Sequence, residues 1–429
     1  MILSFITKNK YIIIPILINI LILLGLLAVV IISGADYHKI LLMGDSYYDI
    51  AKDFFYGDTL LHKFRGPILP LIYSILFVFP QSIHPFVRLF ISMIFSAGTI
   101  IILFNITKNY ISEKEFLFGC LVFVFNPIYI HWMFRPFPEI YLAFFLGLFI
   151  LNIINYYRTN KISFLIYALI VFTISFFIKP VFLFIPILLL LSAVLIKSKK
   201  IMAVSLLLLI LGIFAYKVQD KFTQVKYDPN ASNFEKKYEY IHKIFLIGDS
   251  YWIDYVLQTR QFFKPTIQKY KVDYKDGKSL DEYVGDWLEN YYQKYPNGNL
   301  VFMNLYFIYK EPLLVLQKLL TSPLFFFSMS ARPEETFIKL MFSIFSIFLA
   351  FLGIKTILKK SKHRKEIILI VSIIIGYISL HMATHAMNRY SLPISPFLYI
   401  WGGVPILKFK NKLFGFFKQR TSNITHKYE

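Results

Sequence analysis

The chain has 429 residues, 57% of them hydrophobic and only 17% charged, with 46 Lys and Arg against 25 Asp and Glu for a formal net charge of +21. That balance, with apolar runs recurring from end to end, excludes an ordinary soluble domain and predicts an all-α polytopic membrane protein. One cysteine, Cys120, inside an apolar run excludes a disulfide framework and a thiolate metal site, and no Gly-rich dinucleotide or Walker sequence is present.

In chain order, the first apolar run is Tyr11 to Ser33, 23 residues without a charge. It is long enough to cross a hydrocarbon core of roughly 30 Å, too long for a signal-peptide core, and no small-residue cleavage site follows, so it reads as a retained anchor. Nine further spans are expected at 85–106, 116–134, 140–155, 162–178, 181–196, 201–216, 337–358, 367–387 and 391–407, giving about ten. With the N-terminus in the cytoplasm, the inside segments 1–10, 108–115, 156–161, 197–200, 359–366 and 408–429 hold 20 Lys and Arg against 4 Asp and Glu. The segment 217–336, outside in this arrangement, holds 16 against 15, so the positive-inside rule favours cytoplasmic termini and a plasma-membrane protein.

Two apolar stretches are not read as spans. Pro67 to Pro80 is only 14 residues and reads as a juxtamembrane helix of the first external loop, 34–84. Pro312 to Ser330 carries Gln317, Lys318 and Pro323, and as a crossing it would put the Lys359 to Lys365 cluster outside; it reads as an interfacial helix. The expected organisation is a membrane module 1–216 with external loops 34–84 and 135–139, an external region 217–336 between spans seven and eight, membrane helices 337–407, and a tail 408–429. The tail is basic and amphipathic, which suits membrane lipids of the cytoplasmic leaflet and requires no nucleic acid.

Charged residues at the external ends of the spans are the candidates for chemistry. Asp45 lies in Gly44-Asp45-Ser46-Tyr47-Tyr48-Asp49, about a dozen residues past the first span. Alone it would read as the N-cap of a helix from Tyr47 to Phe55. Asp49, Asp53, Asp58, Lys63 and Arg65 crowd the same loop, however, and make a polar surface where polarity is costly. Glu139, in Arg135-Pro136-Phe137-Pro138-Glu139, is the only acid between Glu115 and Asp220. A salt bridge to Arg135 is its bland reading; on the same face as Asp45, it could instead share a divalent cation with it or divide base and orienting roles.

Arg65, Arg135, Lys179 and Arg389 complete that face. Each taken singly reads as a snorkelling side chain; together they supply the fixed positive charge that a leaving phosphate needs. His381 and His385, four apart, have zinc-compatible spacing but lack the Glu of the metalloprotease motif, so packing within the bundle is the reading adopted. Gly248-Asp249-Ser250-Tyr251-Trp252 echoes the Asp45 segment with no repeat around it, and reads as coincidence or as a turn with a similar cap.

The order of these features resembles the GT-C glycosyltransferases, in particular bacterial proteins similar to protein O-mannosyltransferases and aminoarabinose transferases (glycosyltransferase family 39-like). The residues that carry it are Asp45 in the first loop, Arg65-Gly66-Pro67, Asn126-Pro127 followed by Glu139, Lys179-Pro180, a long external loop after the seventh span, and Arg389-Tyr390-Ser391-Leu392-Pro393. Ser46 after Asp45 departs from the Asp-Glu of many mannosyltransferases, and Phe64 before Arg65 departs from the acid common in the aminoarabinose type.

The resemblance implies a GT-C-like fold and transfer of a sugar from a polyprenyl-phosphate donor to a lipid, glycan or protein acceptor, with inversion. It implies Asp45 as catalytic base or metal-organising acid, Glu139 as second acid and Arg65 as a phosphate contact; Lys179 and Arg389 join Arg65 as phosphate-binding candidates on the charge argument above. Asp45 and Glu139 would be the ligands of any Mg or Mn ion, with Zn the poorer fit. Two other classes are compatible with a polytopic chain: a lipid-linked oligosaccharide polymerase or ligase, which relies on arginines more than on a first-loop acid, and a flippase or transporter, which would carry mid-bilayer charges and a repeat between halves.

Overall fold

The computed structural model describes residues 9–44, 46–57, 66–223, 333–383 and 388–412, with shorter pieces between 273 and 327. The chain divides into two compact units, one made of residues 1–223, 344–374 and 392–429, the other of 224–343 and 375–391.

The first unit opens with α1, Lys10–Ile32, followed in the first loop by three short helices: α2 (Tyr37–Leu42), α3 (Tyr47–Phe55) and α4 (Ile68–Ser74), the last running on as a 3-10 turn, Ile75–Val78. Asp36 caps α2 by accepting from the Lys39 backbone N–H at 2.9 Å. Beyond come α5 (His84–Thr107), α6 (Glu113–Val124), α7 (Pro127–Met133), α8 (Glu139–Thr159), α9 (Ile162–Ile178), α10 (Ile185–Leu195) and α11 (Lys199–Thr223). Leu17, Leu21, Leu24, Val29 and Ile32 of α1 are exposed, as are Phe90, Ile94 and Ile101 of α5. Apolar side chains in that position face hydrocarbon rather than water.

This is a helical, multi-pass membrane protein. Among the described residues five helices are long and apolar enough to cross a bilayer, at Lys10–Ile32, Gln81–Thr107, Glu139–Thr159, Lys199–Val218 and Glu335–Lys359, and α6 with α7 makes a sixth if counted as one broken span. The ten expected crossings exceed that number.

Three departures have physical causes. The expected span 116–134 is bent by 65° between α6 and α7. Pro127 cannot continue α6, and the Asn126 Oδ1 starts a new helix by accepting from Ile128 N at 2.8 Å and Tyr129 N at 3.3 Å. The expected span 181–196 begins as a 3-10 turn, Pro180–Phe184. The expected span 391–407 is not one helix: α15 (Ser395–Tyr399) and a 3-10 turn, Ile400–Gly402, precede a helix over 403–412, because Pro393 and Pro396 remove backbone donors. Between these lie α13 (Pro333–Lys360) and α14 (Arg364–Ala383).

Polar contacts mark the two ends of the first unit. At one, the Arg158 Nε donates to Glu366 Oε2 at 2.9 Å, and Tyr110 donates its hydroxyl proton to the same oxygen while accepting from Arg158 Nη2 at 2.8 Å. His363 Nδ1 lies 3.1 Å from Glu366 Oε1, and Lys200 Nζ donates to the Asn160 side chain and the Tyr156 carbonyl. The segments 108–115, 156–161, 197–200 and 359–366, placed on one side of the membrane by charge, thus meet at one end. Lys179, at the far end of α9, meets Glu139 at the start of α8. So α9, about 25 Å long at roughly 1.5 Å per residue, runs the length of the unit although it falls short of a full span, and α10 with its 3-10 lead returns.

Close backbone approach holds the 400–403 segment. A Cβ on Gly403 would lie 1.8 Å from the Glu115 carbonyl oxygen, one on Gly353 1.9 Å from that of Trp401, and one on Gly119 2.0 Å from that of Ile400. Only glycine lets those chains cross there.

The second unit contains an antiparallel pair, β1 (Asp273–Lys275) with β2 (Lys278–Ser279), and α12 (Leu300–Lys310). The pair is a small departure from an all-helical chain. The described positions from 312 to 327 are helical, as expected of that segment. The His381 ring stacks between Phe326 (5.8 Å) and Tyr390 (4.9 Å), which is the packing role expected of it.

Candidate functional site

Asp45 and Arg65 lie outside the described residues, as do His385 and the Gly248 to Trp252 segment. Their immediate neighbours do not. Ser46 occupies the N-cap position of α3 with a left-handed backbone (φ 61°) and no side-chain cap bond. A non-glycine residue there is uncommon and costs of order 1 kcal/mol, a strain that tends to persist where a neighbouring side chain must be aimed. The N-cap falls one residue after Asp45, which weakens its reading as a simple cap. α3 buries Tyr47, Ile50 and Ala51 on one face and leaves Asp49, Lys52 and Asp53 exposed on the other. Its Tyr48 hydroxyl meets His84 Nδ1 at 2.8 Å, and His84 Nε2 meets the Phe79 carbonyl at 2.9 Å, tying the first loop to the start of α5.

Gly44, just before Asp45, packs on the turn that leads to Glu139: a Cβ on Gly44 would lie 2.9 Å from Pro136 Cγ and 3.4 Å from Phe137 Cζ. Gly66, just after Arg65, packs on the end of α9: a Cβ there would lie 1.9 Å from the Phe177 carbonyl oxygen and 2.9 Å from that of Ile178. Lys179 is the next residue. The flanks of both first-loop candidates therefore converge on the segments that carry Glu139 and Lys179.

Glu139 is 1% exposed and accepts from Lys179 Nζ at 2.8 Å; the lysine side chain is 21% exposed. The partner shown for Glu139 is thus 40 residues away rather than Arg135, which is exposed with its guanidinium 5.7 Å from the Trp132 ring. Lys179 keeps part of its side chain toward solvent. Arg389, in the second unit, is 8% exposed, donates Nη2 to the Tyr390 hydroxyl at 3.2 Å and lies 5.1 Å over the same ring. That is not a side chain snorkelling into solvent.

The sequence reading missed Arg88, inside an expected span. It is fully buried one turn into α5 and donates Nη1 to the Phe134 carbonyl at 2.8 Å, at the C-terminal end of α7. Nearby, the Tyr141 hydroxyl donates to Tyr73 of α4 at 3.2 Å and lies 3.3 Å from Ser92 Oγ. A lone charge in an apolar run was the signal available, since such residues in membranes face the bundle interior and mark function.

Among the described residues no group of three or more His, Cys, Asp or Glu converges as a metal site. One oxygen of Glu139 faces the Lys179 ammonium instead. Asp45, expected to share any Mg or Mn ion with Glu139, lies outside the described residues.

No family model and no curated protein matches the chain. Among solved structures it is similar to the archaeal oligosaccharyltransferase AglB from Archaeoglobus fulgidus, in complex with an inhibitory peptide and a dolichol-phosphate. The identity is 12%, the match covers 97% of this chain and 52% of that one, and the TM-score is 0.48. The chain spans about half the length of that protein.

Proposed function

We propose that this protein is an integral membrane glycosyltransferase of GT-C type, moving a sugar from a polyprenyl-phosphate donor to an acceptor on the external face of the plasma membrane. The observation that carries it is the convergence at one end of the first unit: the flanks of Asp45 and Arg65 against the Glu139 turn and the end of α9. An early acid, a second acid and a set of cations that the charge pattern assigns to one face suit a donor whose phosphate lies at headgroup depth.

In this reading Asp45 takes the proton of the acceptor hydroxyl as its oxygen attacks the anomeric carbon. The bond from that carbon to the phosphate oxygen breaks, and its electron pair leaves with the lipid phosphate, giving inversion. Arg65 and Lys179 stabilise the charge that develops on the phosphate. Glu139 holds the Lys179 ammonium in place, and Arg389 is proposed as a phosphate contact on the charge pattern of the sequence alone. A lipid-linked donor fits candidate acids that the charge pattern assigns to the external face, because nucleotide sugars are cytoplasmic.

The test is to incubate purified protein with a panel of polyprenyl-phosphate sugars and candidate acceptors and follow sugar-free lipid phosphate and glycosylated acceptor by mass spectrometry. Release that depends on acceptor supports the reading. Exclusive use of oligosaccharide-diphosphate lipids, unaffected by Asp45→Asn, would replace it with the polymerase or ligase class. Loss of transfer in EDTA that Mg or Mn restores would support a metal bridging Asp45 and Glu139; transfer intact in EDTA would leave the two acids to divide base and orienting roles.

A further inference from the structure

We infer that Arg88 is the innermost phosphate-binding group of this site, presenting one edge of its guanidinium to the oxyanion of the lipid donor; this rests on the function proposed above. The side chain is 0% exposed, so its charge has no water to solvate it. Nη1 is used by the Phe134 carbonyl. Nε and Nη2 are buried and have no hydrogen-bond partner among the described residues. Those two nitrogens share an edge, and their parallel N–H bonds match two oxygens of a phosphate. A buried guanidinium with two unsatisfied donors is costly unless an anion completes it.

The surroundings suit that anion. Arg88 is one turn inside α5, and Tyr141 is two residues beyond Glu139, so the group sits at the depth where the bilayer core gives way to headgroups. The hydroxyls of Tyr141, Tyr73 and Ser92 form a chain beside it and add donors without adding negative charge. Phe134, whose carbonyl fixes the guanidinium, opens the turn on which Gly44 packs. Arg88 is therefore anchored to the same turn that presents Glu139.

The test is direct binding of sugar-free polyprenyl phosphate in nanodiscs to wild type, Arg88→Lys, Arg88→Gln and Tyr141→Phe, read by phosphorus NMR and by competition with inorganic phosphate. The inference expects wild type to bind, Arg88→Lys to bind at least tenfold more weakly and Arg88→Gln more weakly still, and Tyr141→Phe to lose severalfold. Competition by millimolar inorganic phosphate identifies the phosphate group itself as the ligand; its failure to compete assigns the site to the lipid-borne form. Equal affinity in wild type and Arg88→Lys overturns the inference while leaving the proposed function standing. Lipid binding lost in the Arg88 variants, in a wild type that transfers no sugar, sinks the function and leaves the anion site. Melting of the lipid-free protein guards against an internal pair: if Arg88→Gln is destabilised and Asp45→Asn added to it restores stability, the partner is the first-loop acid and the inference is wrong.

Discussion

The Glu139–Lys179 pair predicts an asymmetry between its two halves. In Lys179→Met the carboxylate of Glu139, 1% exposed, loses the ammonium 2.8 Å away. Removing one partner from a buried pair costs about 3–5 kcal/mol, most of it the desolvation of the charge left behind. In Glu139→Gln the group left behind is a lysine 21% exposed, which can turn toward solvent or donate to the new amide oxygen, and the cost falls to about 1 kcal/mol. The double variant should recover much of the Lys179→Met loss. Cys120 supplies the assay: it is the single cysteine and is fully buried, so a thiol-reactive fluorophore reports unfolding in detergent with no engineering. Melting curves in which Glu139→Gln is as damaging as Lys179→Met would refute the account of Glu139 as a desolvated carboxylate held by Lys179.

At the opposite end of the unit, burial raises the Glu366 carboxyl, but hydrogen bonds from Arg158 and Tyr110 outweigh it and hold its pKa below the ordinary 4.5. Its folded pKa is depressed, so its contribution is complete above the unfolded value and is lost as pH falls through the folded one; stability followed by tryptophan fluorescence should drop below about pH 4 in wild type and less in Glu366→Gln. Gly403→Ala should destabilise strongly because its Cβ meets the Glu115 carbonyl at 1.8 Å, whereas Gly25→Ala, with nothing within 4 Å, should be neutral in the same melting assay. In a Cys120→Ala background, Tyr56→Cys should react with an impermeant thiol reagent in intact cells and Lys362→Cys should not; the reverse pattern would invert the assigned orientation.

The apolar runs were legible because hydrophobic length is nearly sufficient to define a membrane helix: expected 11–33, 85–106 and 162–178 compare with Lys10–Ile32, His84–Thr107 and Ile162–Ile178. What run length hides is a break inside an apolar stretch. Asn126-Pro127 and the Pro393, Pro396 and Gly402-Gly403 positions were visible in the sequence, but their effect depends on capping and backbone crossing that only the fold supplies. The Glu139–Lys179 pair was invisible for a related reason, since nothing local links residues 40 apart and Arg135 was the nearer cation. Arg88 was passed over because a single charge barely lowers the hydropathy of a 22-residue run, although its cost once buried is large. Asp45 and Arg65 rest on sequence for their own roles and on Gly44, Ser46 and Gly66 for their surroundings.

The most direct test of the central claim is acceptor-dependent release of polyprenyl phosphate by Asp45→Asn, measured with the donor that wild type uses. With insertion, melting and donor binding unchanged, the account predicts a rate loss of about a hundredfold or more, the scale for removing a general base. Turnover near that of wild type would contradict it.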